Sequence, residues 1–178
     1  MSEKVITTKT VYEGGYLKVY RDEVLLESGK SAYREYIRHP GAAMVIPILN
    51  SETILMVKQY RHAVKQFMWE FPAGKRDAQE DLKTTALREL KEEAGCTTQN
   101  LRYLTTIHPV IGYADEEIAI YVATDLTPGT NQLDEGEELT VHEVPIAQLF
   151  GMLRRGELSD VKTQIGVFWL EKILQNGW

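Results

Sequence analysis

A chain of 178 residues with 43% hydrophobic content has enough apolar side chain for a core and the length of one domain, with room for a small appendage. Its net charge of −6 leaves no electrostatic footprint for nucleic acid or an anionic membrane, and the lone Cys96 excludes an intrachain disulfide and a CxxC zinc site. The start, MSEKVITTKT, is polar rather than signal-like, and no apolar run reaches the ~20 residues of a spanning helix, so a soluble, cytoplasmic protein is expected.

Residues 4 to 38 read as strands: YLKVYRDEVLL alternates, ESGKS turns, and AYREYIRH resumes a period of two. Such a meander is too small to hold a good core alone. HPGA at 39–42 breaks the chain, which divides the sequence into a meander over 1–41 and a main domain over 42–178. AAMVIPILN and TILMVKQYRH flank the turn NSE and predict a buried hairpin, followed by FMWEFPAG, a short strand running into a Pro-Ala-Gly loop. From Glu80 to Ala94 the spacing is helical, with Gly95 placed to end the helix. LRYLTTIHPV, EIAIYVATDL and ELTVHEVPI predict further strands, and two helices close the chain, the second marked by Val161, Ile165, Trp169 and Ile173. The order implies an α+β fold, a mixed sheet with helices packed on it.

The stretch RELKEEAGC crowds Glu89, Glu92 and Glu93 into one helical turn. At 100° per residue they share an arc of about 100°, while Leu87, Leu90 and Ala94 point away from it. Like charges at i,i+4, as at Glu89 and Glu93, cost an isolated helix roughly 0.2–0.5 kcal/mol per pair. The turn is therefore either a solvated face or a seat for a cation. EFPAGK precedes it, and a loop of that kind can bring a backbone carbonyl beside the carboxylates. Hard oxygen donors of this sort suit Mg²⁺, which binds through few carboxylates and keeps waters for a phosphate substrate.

The spacing resembles the Nudix box: Gly74, five residues, Glu80, seven residues, then Arg88-Glu89-Leu90-any-Glu92-Glu93-any-Gly95. Cys96 stands where that family has an aliphatic residue, and a buried cysteine is a small hydrophobe. The resemblance implies an α/β/α sandwich and a metal-dependent pyrophosphohydrolase. It implies Glu89 and Glu93 as Mg²⁺ (or Mn²⁺) ligands, Glu92 as a ligand directly or through water, and the Ala73 carbonyl completing the set. Arg88 would orient the carboxylates, and Gly74 would let the loop approach them.

REYIRHPGAA, VKQYRH and EFPAGK extend the likeness to the ADP-ribose pyrophosphatase branch, which hydrolyses ADP-ribose and other nucleoside diphosphate sugars. That branch implies a homodimer built through the N-terminal strands. It also implies Arg61 on the diphosphate, Glu70 on the substrate side, and Tyr33 or Tyr36 stacking on the base. In HPVIGYADEEIAIY, Gly112 fits a loop hinge and Glu116 the loop glutamate that serves as general base or metal partner. Val110-Ile111 replaces the branch's serine and proline, which puts the sugar in question and keeps GDP-mannose or a nucleoside triphosphate as alternative substrates. The other class of reading is a catalytically idle module that senses a nucleotide sugar and regulates a partner.

Overall fold

The structure, a computed structural model, describes residues 3–177. It separates into two compact units: the described residues up to Pro40 together with His108–Glu117, and Gly41–Ile107 together with Ile118 onward.

The first unit is an antiparallel sheet of β1 (Lys4–Glu13), β2 (Lys18–Leu25) and β3 (Ser31–Ile37), in that order. Alternation places Tyr20 opposite Tyr36 in the β2–β3 register, and the two rings stack with centroids 5.8 Å apart. The 108–117 segment is fastened to the end of β3: Ile37 N–H donates to Tyr113 O at 2.9 Å, and Asp115 N–H donates to Ile37 O at 3.2 Å. All ten residues of β1 are exposed, Val5, Ile6, Val11 and Tyr12 among them.

The second unit is built on one mixed sheet. Its path runs β12 (Leu139–Pro145), β5 (Thr53–Arg61), β4 (Ala42–Asn50), β10 (Ile118–Thr124), β9 (Asn100–Ile107). Two short strands are appended, β6 (Gln66–Glu70) on β5 and β7 (Ala73–Lys75) on β4. The Pro-Ala-Gly segment expected as a loop is thus partly a strand, because Met44 and Ala43 pair with Ala73 and Gly74. The central pair β4 and β10 is parallel, with Ala42 opposite Ile118. Strands buried on both faces read as continuous apolar runs, which accounts for AAMVIPIL and IAIYVA. Ala43 and Val45 point to α1 (Leu82–Ala94), packing with Ala86, Leu90 and Ala94. Met44 and Ile46 point to the other face, where α2 (Ile146–Arg154) and α3 (Val161–Asn176) supply Leu149, Met152, Val167 and Leu170. Helices on both faces of a mixed sheet make the α/β/α sandwich.

Three details depart from the sequence reading. The helix expected from Glu80 begins at Leu82, because Asp81 caps it, accepting from the Thr84 N–H at 2.7 Å. Leu87 is only half-buried, and Ala86 takes the core position instead. The helix expected from about 160 is α3, where Thr163, Gly166, Val167 and Leu170 are fully buried, Ile165, Trp169 and Ile173 pack half-buried against the same core, and Val161 is exposed. Gly166 lets the helix come close: a Cβ there would stand 2.9 Å from Met44 and Phe71. The two-residue strands β8 (Cys96–Thr97) and β11 (Thr127–Pro128) pair with each other and had no period to reveal them. Among the described residues no helix is long and apolar enough to cross a membrane.

Candidate active site

The carboxylates of α1 are not a solvated face. Glu89 is 7% and Glu93 3% exposed, level with core residues, and Glu92 is half-buried. The strand β7 passes over them. Ala73 N–H donates to Glu93 Oε2 at 2.8 Å, and a Cβ on Gly74 would lie 2.0 Å from Glu89 Oε1. Any side chain at 74 would displace the Glu89 carboxylate from this position. At the far end of α1, Gly95 takes φ 66°, a left-handed cap whose N–H returns to Leu90 O and Lys91 O.

Arg88 organises the acidic side of this helix. Its Nε donates to Glu80 at 3.1 Å, Nη1 to Glu89 at 2.7 Å and Glu92 at 2.8 Å, and Nη2 to Lys75 O at 3.0 Å. Glu80, just outside the helix, thus closes a network with the two carboxylates it precedes. Arg88 makes no hydrogen bond to Glu93, whose one donor among the described residues is the Ala73 amide.

Burial pushes the Glu89 carboxyl up to about 7, against the pull of Arg88 and with help from Glu92 and Glu137. Burial pushes Glu93 up to about 8, against the Ala73 N–H and with help from Glu89 and Glu137. Both groups are under-compensated as anions. Among the described residues no three acidic, histidine or cysteine side chains are grouped as a ready cage for an ion. The donors nonetheless fit a hard divalent cation. They are carboxylate oxygens, desolvated and short of positive charge, beside a backbone held close by glycine.

Glu137 was not singled out from the sequence. It lies in the loop before β12, half-buried among exposed neighbours, and its charge raises both Glu89 and Glu93. The loop is tied to the end of α1, with Gln132 N–H on Glu92 O at 2.8 Å and Gly129 N–H on Gly95 O at 2.7 Å. The acidic run DEGEE at 134–138 was the available signal.

A second acid site lies at the ends of β5 and β6. Glu70, 2% exposed, accepts from Arg61 Nε and Nη2, each at 2.7 Å, and from Lys162 Nζ. Burial opposes its ionisation, but the Arg61 hydrogen bonds and the Lys162 charge overcome that and hold it down at about 2. Arg61 also feels Glu93, so it borders the α1 carboxylates. Lys162 had no sequence signal, being brought here only by the packing of α3.

The remaining candidates belong to the first unit. Glu116 Oε1 is 3.8 Å from His39 Nε2, while His39 N–H donates to Asp115 Oδ1 at 2.7 Å. Tyr36 stacks on Tyr20, and Tyr33 carries the Arg21 guanidinium 4.0 Å above its ring. Gly112 has no left-handed φ, and a Cβ there would meet nothing within 4 Å, so its conformation does not require glycine.

Residues 38–163 match the NUDIX domain family. The chain belongs to that family. The Nudix assignment agrees with relatives that cover nearly all of it. It is 38% identical over 171 residues to the methanol dehydrogenase activator of Bacillus methanolicus, spanning 95% of this chain and 92% of that one. It is 34% identical to the ADP-ribose pyrophosphatase of Bacillus subtilis, over 96% of this chain and 94% of the relative. The ADP-ribose pyrophosphatase of Mycobacterium tuberculosis is 33% identical, over 92% and 81%. The Nudix fold itself is matched by a crystal structure of an ADP compounds hydrolase, with a TM-score of 0.88 at 23% identity over 98% and 95% of the two chains.

Proposed function

We propose that this Nudix protein is a divalent-metal-dependent hydrolase of nucleoside diphosphate sugars, with ADP-ribose as substrate and AMP and a sugar phosphate as products. The observation that carries the reading is the pair of buried, under-compensated carboxylates, Glu89 and Glu93, with the more open Arg61 bordering them. Two relatives at 34% and 33% identity bear the name ADP-ribose pyrophosphatase, which supports the substrate.

Glu89, Glu92, Glu93 and the Ala73 carbonyl would hold Mg²⁺ or Mn²⁺. Such ions neutralise the diphosphate and lower the pKa of water. Arg88 orients Glu89 and Glu92, and Gly74 leaves the space they need. Arg61 takes a diphosphate oxygen, Glu70 sets its direction, and Tyr33 or Tyr36 offers a ring to the base. A carboxylate outside the metal set must accept the proton of the attacking water, since ligand oxygens have their charge committed. We assign that role to Glu116, on its match to the family's loop glutamate. Glu137 is the second reading, supported by its electrostatic reach to Glu89 and Glu93. Glu→Gln at the true base lowers kcat by roughly 10²–10⁴-fold with little change in KM, and at the other position by less than about threefold. Steady-state kinetics of the two variants decides.

The meander over 1–41 would build a homodimer through β1, whose exposed apolar residues support a covered position in an assembly. A cytoplasmic setting agrees with the buried free thiol of Cys96. The defining test incubates the protein with Mg²⁺ and a panel of ADP-ribose, GDP-mannose, other nucleoside diphosphate sugars and nucleoside triphosphates, and identifies the products. No turnover of any diphosphate sugar would sink the proposal. A regulatory role toward a partner enzyme is the reading favoured by the activator at 38% identity, and it gains the ground in that event.

A further inference from the structure

The Arg61–Glu70 pair has a third member that the proposed reaction does not use. Lys162, in the first turn of α3, places Nζ on Glu70 Oε2, the oxygen that also receives Arg61 Nη2. Its side chain is 13% exposed, against 44% for Arg61 and 3% for Glu70. Lys162 is therefore too enclosed to meet a substrate, whereas Arg61 is open enough to do so.

Lys162 is itself gripped from behind. Asp160 Oδ2 accepts from Nζ at 2.9 Å and, as the N-cap of α3, also from the Thr163 N–H at 2.9 Å. Thr163 in turn takes the Phe71 N–H on its Oγ1 at 3.3 Å. Two consecutive residues of α3 thus hold two consecutive residues of the chain just before Ala73 and Gly74. Burying an ammonium costs desolvation, and a buried ion pair is weak evidence for stability. What the arrangement supplies is direction. Glu70 is already charge-compensated by bidentate Arg61, so a second cation on Oε2 chiefly fixes rotation of the carboxylate. The carboxylate fixes the guanidinium plane, because Nε and Nη2 are both engaged. The Nη1 edge, with no hydrogen-bond acceptor among the described residues, is left for a ligand.

We infer that Lys162 is a positioning residue for diphosphate binding, acting through Glu70 to lock the Arg61 guanidinium in its binding orientation. This rests on the proposed role of Arg61. Preorganised Arg contacts matter because an oxygen misplaced by about 1 Å loses most of the benefit of a fixed partner.

The test uses steady-state kinetics with ADP-ribose at saturating Mg²⁺. It compares wild type, Lys162→Met, Lys162→Arg, Arg61→Ala and the Lys162→Met/Arg61→Ala double variant, each with its thermal midpoint. Lys162→Met is expected to raise KM roughly tenfold with kcat within about threefold, the pattern of lost ground-state binding. Lys162→Arg, which keeps the charge, is expected to recover most of that loss. In the double variant KM is expected to equal that of Arg61→Ala alone, since a lysine acting through Arg61 has nothing left to position. Should Lys162→Met not fold, Lys162→Gln is read in its place.

A Lys162→Met variant with a lowered midpoint and unchanged KM overturns the inference, leaving the lysine a packing role. A KM effect that persists undiminished without Arg61 overturns it as well. If Arg61→Ala itself leaves kcat/KM untouched, the role given to Arg61 fails and the inference falls with it, an outcome distinct from the other two.

Discussion

Two buried acid sites in the same unit have opposite characters. Glu70 at the end of β6 is as inaccessible as Glu93 on α1, at 2% against 3% exposed. Glu70 has two cations and titrates at about 2, while Glu93 has an amide and neighbouring anions and titrates at about 8. Burial is common to both, so it cannot be the cause of the difference. Compensation is. A protein that neutralises one enclosed carboxylate with its own arginine and lysine has fixed that acid in place, which suits it to orienting the arginine. One that leaves another short of charge, with Glu89 nearby, leaves that compensation open, as the proposed cation site requires. The contrast separates a positioning acid from a binding acid more sharply than either site does alone.

Exchanging the charges is the strongest way to break this comparison. Glu93→Gln keeps the acceptor for the Ala73 amide and removes the anion. It should lower kcat at least about 10²-fold, the scale of losing a group that stabilises transition-state charge. Without metal, the same variant should match or exceed the wild type in urea. Glu70→Gln should do the reverse to stability, costing roughly 2–3 kcal/mol by leaving two cations without their anion. Equal destabilisation by the two changes would erase the distinction.

Gly74→Ala sharpens the same contrast from the backbone side. Its Cβ would fall on Glu89 Oε1, so either β7 or the carboxylate must move. Metal affinity, followed by isothermal titration with Mn²⁺, is expected to weaken roughly 10- to 100-fold, as when support of a ligand is lost. Binding at wild-type strength would show that Glu89 has freedom the packing denies it.

The smallest effect is on the pH dependence of stability. Glu89 and Glu93 have folded values of about 7 and 8, above the ordinary 4.5. Between pH 4.5 and about 8 the folded protein therefore retains protons that the unfolded chain has released, and stability falls as pH rises. Glu70 acts with the other sign: its contribution is complete above 4.5 and is lost as pH falls toward 2. The metal-free thermal midpoint should decline from pH 5.5 to 8.5, and excess Mg²⁺ should raise it more at 8.5, by roughly 5 °C. A flat profile with an equal Mg²⁺ gain at both pH values would count against the raised carboxylates.

Much of the candidate site was legible because α1 writes it in local spacing. Glu89, Glu92, Glu93 and Arg88 lie within six residues, and a helix turns that spacing into geometry without help from the rest of the fold. Glu80 is legible as a position of the spacing motif, but it lies outside the helix because Asp81 takes the N-cap. Lys162 and Glu137 were invisible for a different reason. Each reaches its acidic neighbours by tertiary closure; the run DEGEE marks Glu137 only as acidic, and neither local sequence names the residue faced. The α3 stripe was legible as a helix, and Ile165, Trp169 and Ile173 do pack against the core. The closest approach falls instead at Gly166, where a side chain would strike Met44 and Phe71, and the period of bulky residues does not point to it.

The parallel pairing of β4 with β10 has a consequence for the order in which the chain can fold. Ala42 meets Ile118 only after β5, α1 and β9 have intervened, so the central ladder closes a long loop. The β4–β5 hairpin and α1 involve local contacts and can form sooner. Until β10 arrives, the unfilled side of β4 presents unpaired amides and apolar side chains to solvent. During synthesis AAMVIPIL leaves the ribosome well before its partner IAIYVA, and in that interval it is open to pairing with another chain.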